Sequence, residues 1–383
     1  MAVTFEALPI TDLAELQRHT VDWQKFLRAG GVQGGIYCDP VFIEQTMSLT
    51  DGRSLVLVIG TDEEGKCCVL PFRLQRERPP IQVGPYKARF VATRVLRLTD
   101  FEFAVRGGSD RIGILRKVMP FLRGVTDADL AYVDNTPTHE VADVGDHALG
   151  WSLRNRQTTY VVKNQTDYQR YWDSLGSRVR IELKRRTKKL KEKCQGAVLL
   201  KKYTRKEEMA EVHEYVTAVW SRSWHANVGS AVPFGLSCME RLAAERWVRS
   251  YVLLAEGHPI AYLWGYQYRA KYYYDSIAFD ADWKEHAPGS VLNHLALSDL
   301  FGVEPPPELD FGFGYNKYKE HLGTHPEERA QIWVPFTWKG HAALAGLSLG
   351  ERLGTLGREI SKQAGLYRWL RNRRRQGHSP REG

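Results

Sequence analysis

Two aspartates, a histidine and a Tyr-Lys pair are the residues of this chain best placed to move protons. Asp275 lies in the run KYYYDSIAF (271–279), whose aromatic and β-branched residues fit a half-buried strand. Asp310 lies in a later strand-like run at 308–313, and His286 sits in the turn between the two. Carboxylates and imidazoles so placed can accept a proton or orient a reacting group. Pro288-Gly289 breaks the chain, after which Val291, Leu292, Leu295, Leu297 and Leu300 recur at near-helical spacing. A strand, a glycine-containing turn and a helix start together present backbone N–H groups to an anion. Tyr318 and Lys319 follow on a short helix expected at 316–322.

Other motifs carry less. Gly30, Gly31, Gly34 and Gly35 form a loop without a preceding strand or a Lys-Ser/Thr pair, which excludes a phosphate loop. Gly312-x-Gly314 follows a strand but lacks the third glycine of a dinucleotide fingerprint, so close backbone approach to a ligand is expected instead. His321 and His325 have helical metal-ligand spacing, but Pro326 follows at once and no acidic partner is at hand, so no metal is expected. There is no Gly-x-Ser-x-Gly elbow. Cys38, Cys67, Cys68, Cys194 and Cys238 are odd in number and lack zinc spacing. They point to packed, free thiols in a reduced cytoplasmic protein.

The net charge of +9 is local. Residues 178–206 hold thirteen Lys/Arg against Glu182 and Glu192, and 368–381 add six arginines and no acid. The rest of the chain is therefore net acidic. In the basic segment Val179, Leu183, Leu190 and Cys194 fall at 4-7-4 spacing, so one narrow helical face packs while the cations point elsewhere. Like charges four residues apart oppose a helix by ~0.2–0.5 kcal/mol per pair. An anionic partner for Lys184, Arg185, Arg186, Lys188 and Lys189 is expected: a donor nucleotide, an acidic carrier protein, a tRNA arm or a membrane surface. The run WLRNRRR (369–375) is expected to touch the same partner.

At 383 residues, with 43% hydrophobic and 26% charged, the chain fits a globular protein of two domains. No apolar run approaches the ~20 residues of a membrane span, and MAVTFEALPITDLAEL lacks the pattern of a secretory signal. The first half reads as a helix at 11–29 with Leu13, Leu16, Val21, Trp23, Phe26 and Leu27 as candidate core. A short helix capped by Asp39-Pro40, a hairpin at 55–59 and 67–72, a strand-rich stretch at 79–108, a helix at 109–122 and a strand at 130–133 follow. The second half reads as a strand at 160–162, helices at 166–175 and 177–194, a strand at 197–203, and helices at 207–224 and 234–246. A three-strand meander over 251–279, the helix after Gly289, strands at 308–313 and 330–336 about a short helix, and a helical basic end complete it. The pattern of LVLVIGTDEEGKCCVLPFRL (55–74) recurs in YVLLAEGHPIAYLWGYQY (251–268). The helix opening at Ser109 parallels the one at Gly289, and DLAYVDNT (129–136) parallels LDFGFGYN (309–316), each pair 180 residues apart. Three parallels in one order favour two similar α/β lobes.

From Ala197 onward this element order resembles the GNAT acyltransferase fold. The residues that carry the likeness are the basic segment 178–193, Trp220, Ala278-Phe279-Asp280, Pro288-Gly289, and Asp310-Phe311-Gly312-Phe313-Gly314 with Tyr318-Lys319. The likeness is to the CelD-like branch associated with cellulose and exopolysaccharide biosynthesis, and more distantly to FemAB-type aminoacyl transferases. It implies two GNAT-like lobes, each a mixed, largely antiparallel sheet flanked by helices, with the second more complete. The expected division is 1–159, 160–338 and a helical basic tail at 339–383. The superfamily's Arg/Gln-x-x-Gly-x-Gly/Ala turn falls on His286, Gly289 and Val291, of which only the middle glycine is kept.

The resemblance implies an N-acyltransferase, acetyltransferases being the type, that moves an acyl group from a thioester to an amine of a small molecule, sugar or amino acid. No permanently bound cofactor is expected; acyl-CoA, acyl-phosphopantetheine or aminoacyl-tRNA serves as donor. Backbone around Ile277, Ala278 and Phe279, with Pro288, Gly289 and Ser290, is expected to hold that donor. Asp275 or Asp310 serves as base or substrate-orienting carboxylate, His286 as an orienting group, Tyr318 as acid and Lys319 as a phosphate or acid contact. Two alternatives stand beside it: FemAB-like peptide-bond formation from aminoacyl-tRNA, and a nucleic-acid or membrane binding module.

Overall fold

The hairpin and the meander are apolar on both faces, and both lie inside one long sheet covered by helices. The structure, a computed structural model, describes residues 3–47, 53–78, 80–83, 86–89, 92–141 and 150–363. The basic run at 369–375 lies outside them. The first half contains β1 (Thr4–Ile10), α1 (Leu13–Arg28), β2 (Val32–Gln33), α2 (Pro40–Thr46), β3 (Ser54–Asp62), β4 (Gly65–Glu77), β5 (Pro80–Val83), β6 (Tyr86–Arg89), β7 (Thr93–Leu98), β8 (Ala104–Arg106), α3 (Arg111–Val125) and β9 (Leu130–Pro137). The second contains β10 (Ser152–Lys163), α4 (Tyr168–Ser174), α5 (Ser177–Lys193), β11 (Val198–Tyr203), α6 (Met209–Ser221), α7 (Trp224–Val228), α8 (Leu236–Ala244), β12 (Ser250–Ala255), β13 (His258–Tyr268), β14 (Lys271–Phe279), α9 (Pro288–Val303), β15 (Glu308–Asp310), α10 (Lys317–Leu322), β16 (His325–Pro335) and α11 (Trp338–Gln363).

The main path of the sheet runs β1-β3-β4-β7-β9-β16-β10-β15-β14-β13-β12-β11. Two halves of it repeat. In each, a hairpin (β3-β4 or β12-β13) leads to a strand, then to a helix that crosses over to a parallel neighbour: β7-α3-β9 and β14-α9-β15. These are tandem GNAT-like lobes in a mixed α/β fold whose sheet is otherwise antiparallel. The lobes are joined by exchange. β10 follows the first lobe in sequence but pairs β15 of the second, and β16 follows the second but pairs β9 of the first. The two exchanged strands also pair with each other along Ser152–Val161.

Local chemistry explains the elements. The Asp12 side chain caps α1 by accepting from Glu15 N at 2.8 Å, and Asp39 caps α2 by accepting from Val41 N at 2.9 Å, with Pro40 in the first turn. α9 is apolar nearly all round, and buries Val291, Leu292, Ala296, Leu297, Leu300 and Phe301 between the sheet and α5. α5 seats Leu183, Leu190 and Cys194 in the same core.

Several boundaries differ from expectation. Leu13 and Val21 are exposed, so the buried stripe of α1 is Leu16, Trp23, Phe26 and Leu27. β1 is an edge strand that pairs β3 along its whole length, Pro9 included, and has no counterpart among the expected elements. The helix expected at 207–224 divides because Ser223 caps a new start, accepting from His225 N at 3.2 Å. β10 and β16 are longer than expected. Their extra residues, such as Gln157 to Thr159 and Glu327 to Arg329, are polar and pair with each other, beside a register shift between Arg154 and Gln157. β15 ends at Asp310 because Gly312 turns the chain with φ +78°.

Candidate active site

The site is built on a fork. β14 pairs β15 only at Lys271–Tyr273, and then runs on to Phe279 while β15 stops. Among the described residues, the edge of β14 beyond Tyr273 thus has no strand neighbour on that side. Asp310 and Lys319 hold the turn that opens the fork. Asp310 Oδ1 accepts from Gly312 N at 2.8 Å, and Lys319 Nζ donates to the carbonyls of Gly312 (3.0 Å), Phe313 (3.4 Å) and Gly314 (3.1 Å). Gly312 and Gly314 both have φ in the left-handed region, +78° and +98°. That backbone requirement accounts for both glycines, in place of the close ligand approach expected of them. Burial pushes the Lys319 ammonium down to about 8, against the pull of Asp310.

Asp275 stands on one side of the fork, at a β-bulge. Trp264 pairs Ser276 and Gly265 pairs Tyr274, which leaves Asp275 without a cross-strand partner. Solvent reaches its side chain, while the protein around its other sides pushes the carboxyl up to about 6, and no cation counters this. Its charge is felt by Tyr37, Tyr266 and Cys238, and by Tyr262, whose hydroxyl burial raises to about 12. Tyr37 comes from the first lobe. The neighbouring Tyr273 hydroxyl accepts from Ile36 N at 3.2 Å and meets Glu102, so first-lobe loops wall this side. Asp100, next to Glu102, is pushed up to about 7 by burial and by that carboxylate. His225 reaches the open edge from α7. Its imidazole lies between Ser230 Oγ (3.0 Å, from Nδ1) and the Ile277 backbone, and burial lowers its pKa.

On the other side lies a cavity of about 410 Å³ between α5, α9 and α10, with Arg178, Glu182, Arg186, Ser290, Asn293 and Tyr318 in its wall. Arg186 Nη1 donates to Ser290 Oγ at 2.6 Å, which brings the basic helix onto the first turn of α9. No side chain caps α9, whose N-cap Ala287 has φ +49°. A Cβ on Gly289 would meet Phe279 at an ordinary 3.4 Å, so packing does not demand that glycine. The Tyr274 hydroxyl donates to Asn293 Oδ1 at 2.6 Å, and the Tyr318 ring lies 5.9 Å from that of Tyr274. Burial raises the Tyr318 pKa, and a hydrogen bond with Tyr274 works against that rise.

The expected site residues therefore fall into groups. Ser290, Arg186 and Tyr318 share the cavity. Ile277 and Phe279 pack on its side of the sheet, with Ala278 on the opposite side. Asp275 faces the first lobe. Asp310 is enclosed by Arg329 (2.9 Å) and Lys271 (3.7 Å), both ion-paired to it, which leaves it framing the fork. His286 leans on Trp283 with ring centroids 5.8 Å apart, its Nδ1 buried without a hydrogen-bond partner among the described residues, and Pro288 is buried. Lys184 lies over the Trp172 ring, Arg185 pairs Glu182, Lys188 approaches Glu192, and Lys189 is exposed. Among the described residues no group of three His, Cys, Asp or Glu could hold a metal. Sequence reasoning passed over His225 and Asn293. The second had a signal, as an amide on the buried face of an apolar helix.

Comparison with known proteins bears on the fold. Residues 177–320 match the family of acetyltransferase (GNAT) domains. Two solved structures share the fold across most of both chains. FemX aligns at 11% identity over 86% of this chain and 97% of its own, with a TM-score of 0.55. The C-terminal domain (DUF2156) of a Putative Lysylphosphatidylglycerol Synthetase from Agrobacterium fabrum aligns at 10% identity over 86% and 94%, with a TM-score of 0.54. No curated protein matches the sequence. Among the described residues no helix is long and apolar enough to cross a membrane.

Proposed function

We propose that this chain transfers an acyl group from a thioester donor to an amine. The observation that carries the reading is the fork, with a cavity bearing Arg178 and Arg186 on one side and the carboxylate of Asp275, set at a β-bulge, on the other. The donor's phosphate lies at Gly289, Ser290 and Arg186, and its pantetheine arm runs along the free edge at Ile277–Phe279. The amine enters beside Asp275. The carboxylate takes a proton from it, the nitrogen attacks the thioester carbon, and backbone N–H groups of the fork stabilise the oxyanion. The C–S bond then breaks, the Tyr318 hydroxyl protonates the leaving thiolate, and the phenolate regains through solvent the proton that the amine gave up. Asp310 and Lys319 position the fork, and His286 supports the donor turn. Residues 160–338 carry the chemistry, while 1–159 wall the acceptor side. The five buried free thiols suit a reducing cytoplasm. A place in the CelD-like branch rests on the sequence resemblance alone.

Thiol release from a panel of acyl-CoA and acyl-carrier thioesters, offered with mixed amine acceptors, tests this. Turnover of at least one donor is expected; no release and no thermal shift with any of them contradicts it. The cation density of α5 favours a second reading, in which the donor is an aminoacyl-tRNA. FemX has this fold, but at that identity the likeness reaches no further. Activity that survives ribonuclease rejects the second reading.

A further inference from the structure

Ile181 is 66% exposed on the face of α5 turned away from the core. Its helical neighbours three, four and seven residues away are Arg178, Lys184, Arg185 and Lys188, all exposed. Leu183, Thr187 and Leu190 bury the opposite face, so Ile181 does not help to seat the helix. An aliphatic side chain ringed by four cations is left in water. The acids that meet these cations, Glu182 and Glu192, form surface pairs, each worth ~0–1 kcal/mol. Lys189, Lys191 and Lys193 have no acidic partner among the described residues. The helix is thus a ridge. The 410 Å³ cavity lies on one flank, and on the other is a hollow of about 330 Å³ lined by Lys184, Thr187, Lys188, Lys191, Glu192 and His294.

We propose that this ridge docks an acidic acyl carrier protein, whose phosphopantetheine arm enters the cavity past Arg178 and Arg186. The inference rests on the acyl-transfer reading and specifies how the donor arrives. Protein interfaces place an apolar centre inside a polar rim, and opposite charge steers the encounter and fixes its register. Ile181 within its cations has that arrangement. A nucleic acid would match the cations but gain nothing from an aliphatic side chain among them, because its affinity comes from phosphate neutralisation. A membrane-surface helix needs a continuous apolar face, and that of α5 is buried in the core.

The test uses the full chain, I181D and K184E/R185E/K188E. Each is titrated by fluorescence anisotropy with the holo form of every carrier protein encoded in the same genome, and with bulk tRNA. Thermal shift with acetyl-CoA is the control for the donor site. At least one carrier is expected to bind, more weakly at high salt. Both variants should lower its affinity about tenfold or more while the acetyl-CoA response stays unchanged. Binding of no carrier, or equal binding by the variants, overturns the docking inference, as does tRNA binding that needs the lysines but not Ile181. Loss of the acyl-transfer reading would register separately, as no response of the wild type to acetyl-CoA and no thiol release from any thioester.

Discussion

Asp275 concentrates the chemistry in one side chain. It was visible in the sequence as an acid inside an aromatic strand; the bulge that unpairs it was not, because register depends on β13 as well as β14. Asp310 looked equivalent on the page, yet Arg329 and Lys271 make it an ion-paired frame residue, a distinction that belongs to partners far away in sequence. With a carboxyl near 6, kcat/KM is expected to rise through an apparent pKa of about 6 and then level. Asp275→Asn should remove that limb and lower the rate ~10²–10⁴-fold, as a pH–rate profile would record. Its effect on stability has the opposite sign. Because the folded value lies above the ordinary 3.8, the folded state binds more protons across that window, and stability falls as pH rises through it. The variant lacks this loss, so its melting temperature at pH 7.5 should equal or exceed that of the wild type.

At the scale of elements, those with a single strong period were legible. The narrow stripe of α5, the hairpin β3-β4 and the meander follow from local pattern alone. β10 and β16 were only partly legible, since their polar halves are strands by virtue of pairing each other. The fork was not legible, although Lys319 and the two glycines that make it were in view. Lys319→Met removes the donor shared by three carbonyls and should cost about 1–3 kcal/mol in urea unfolding. It should also raise the KM for a thioester donor more than it lowers kcat, because the residue shapes the turn and leaves the proton transfers to others. A larger effect on kcat would move Lys319 into the chemistry.

At the scale of the molecule, the exchanged strands make the lobes interdependent. Arg329 on β16 joins Asp310 of the second lobe (2.9 Å) to Asn135 of the first (3.0 Å), deep in the sheet. Burial alone would raise the Asp310 carboxyl, but Arg329 and then Lys271 hold it below its ordinary range. Its contribution to stability is therefore present above the unfolded value near 4 and fades as pH falls through the folded one. Arg329→Met should cost about 3–5 kcal/mol at neutral pH, in a single unfolding transition, with the gap to wild type narrowing in acid. Two separate transitions would show that the lobes fold independently. The internal repeat foretold two lobes, whereas the strand exchange between them left no local trace in the sequence.

Hydrogen–deuterium exchange with a non-reactive thioether analogue of an acyl-phosphopantetheine tests the central claim most directly, and needs no knowledge of the acceptor. The account predicts slowed exchange at Ile277–Phe279 and Gly289–Asn293, at the free edge of β14 and the first turn of α9. Protection confined to β7 and α3 of the first lobe, or none at either place, would contradict it.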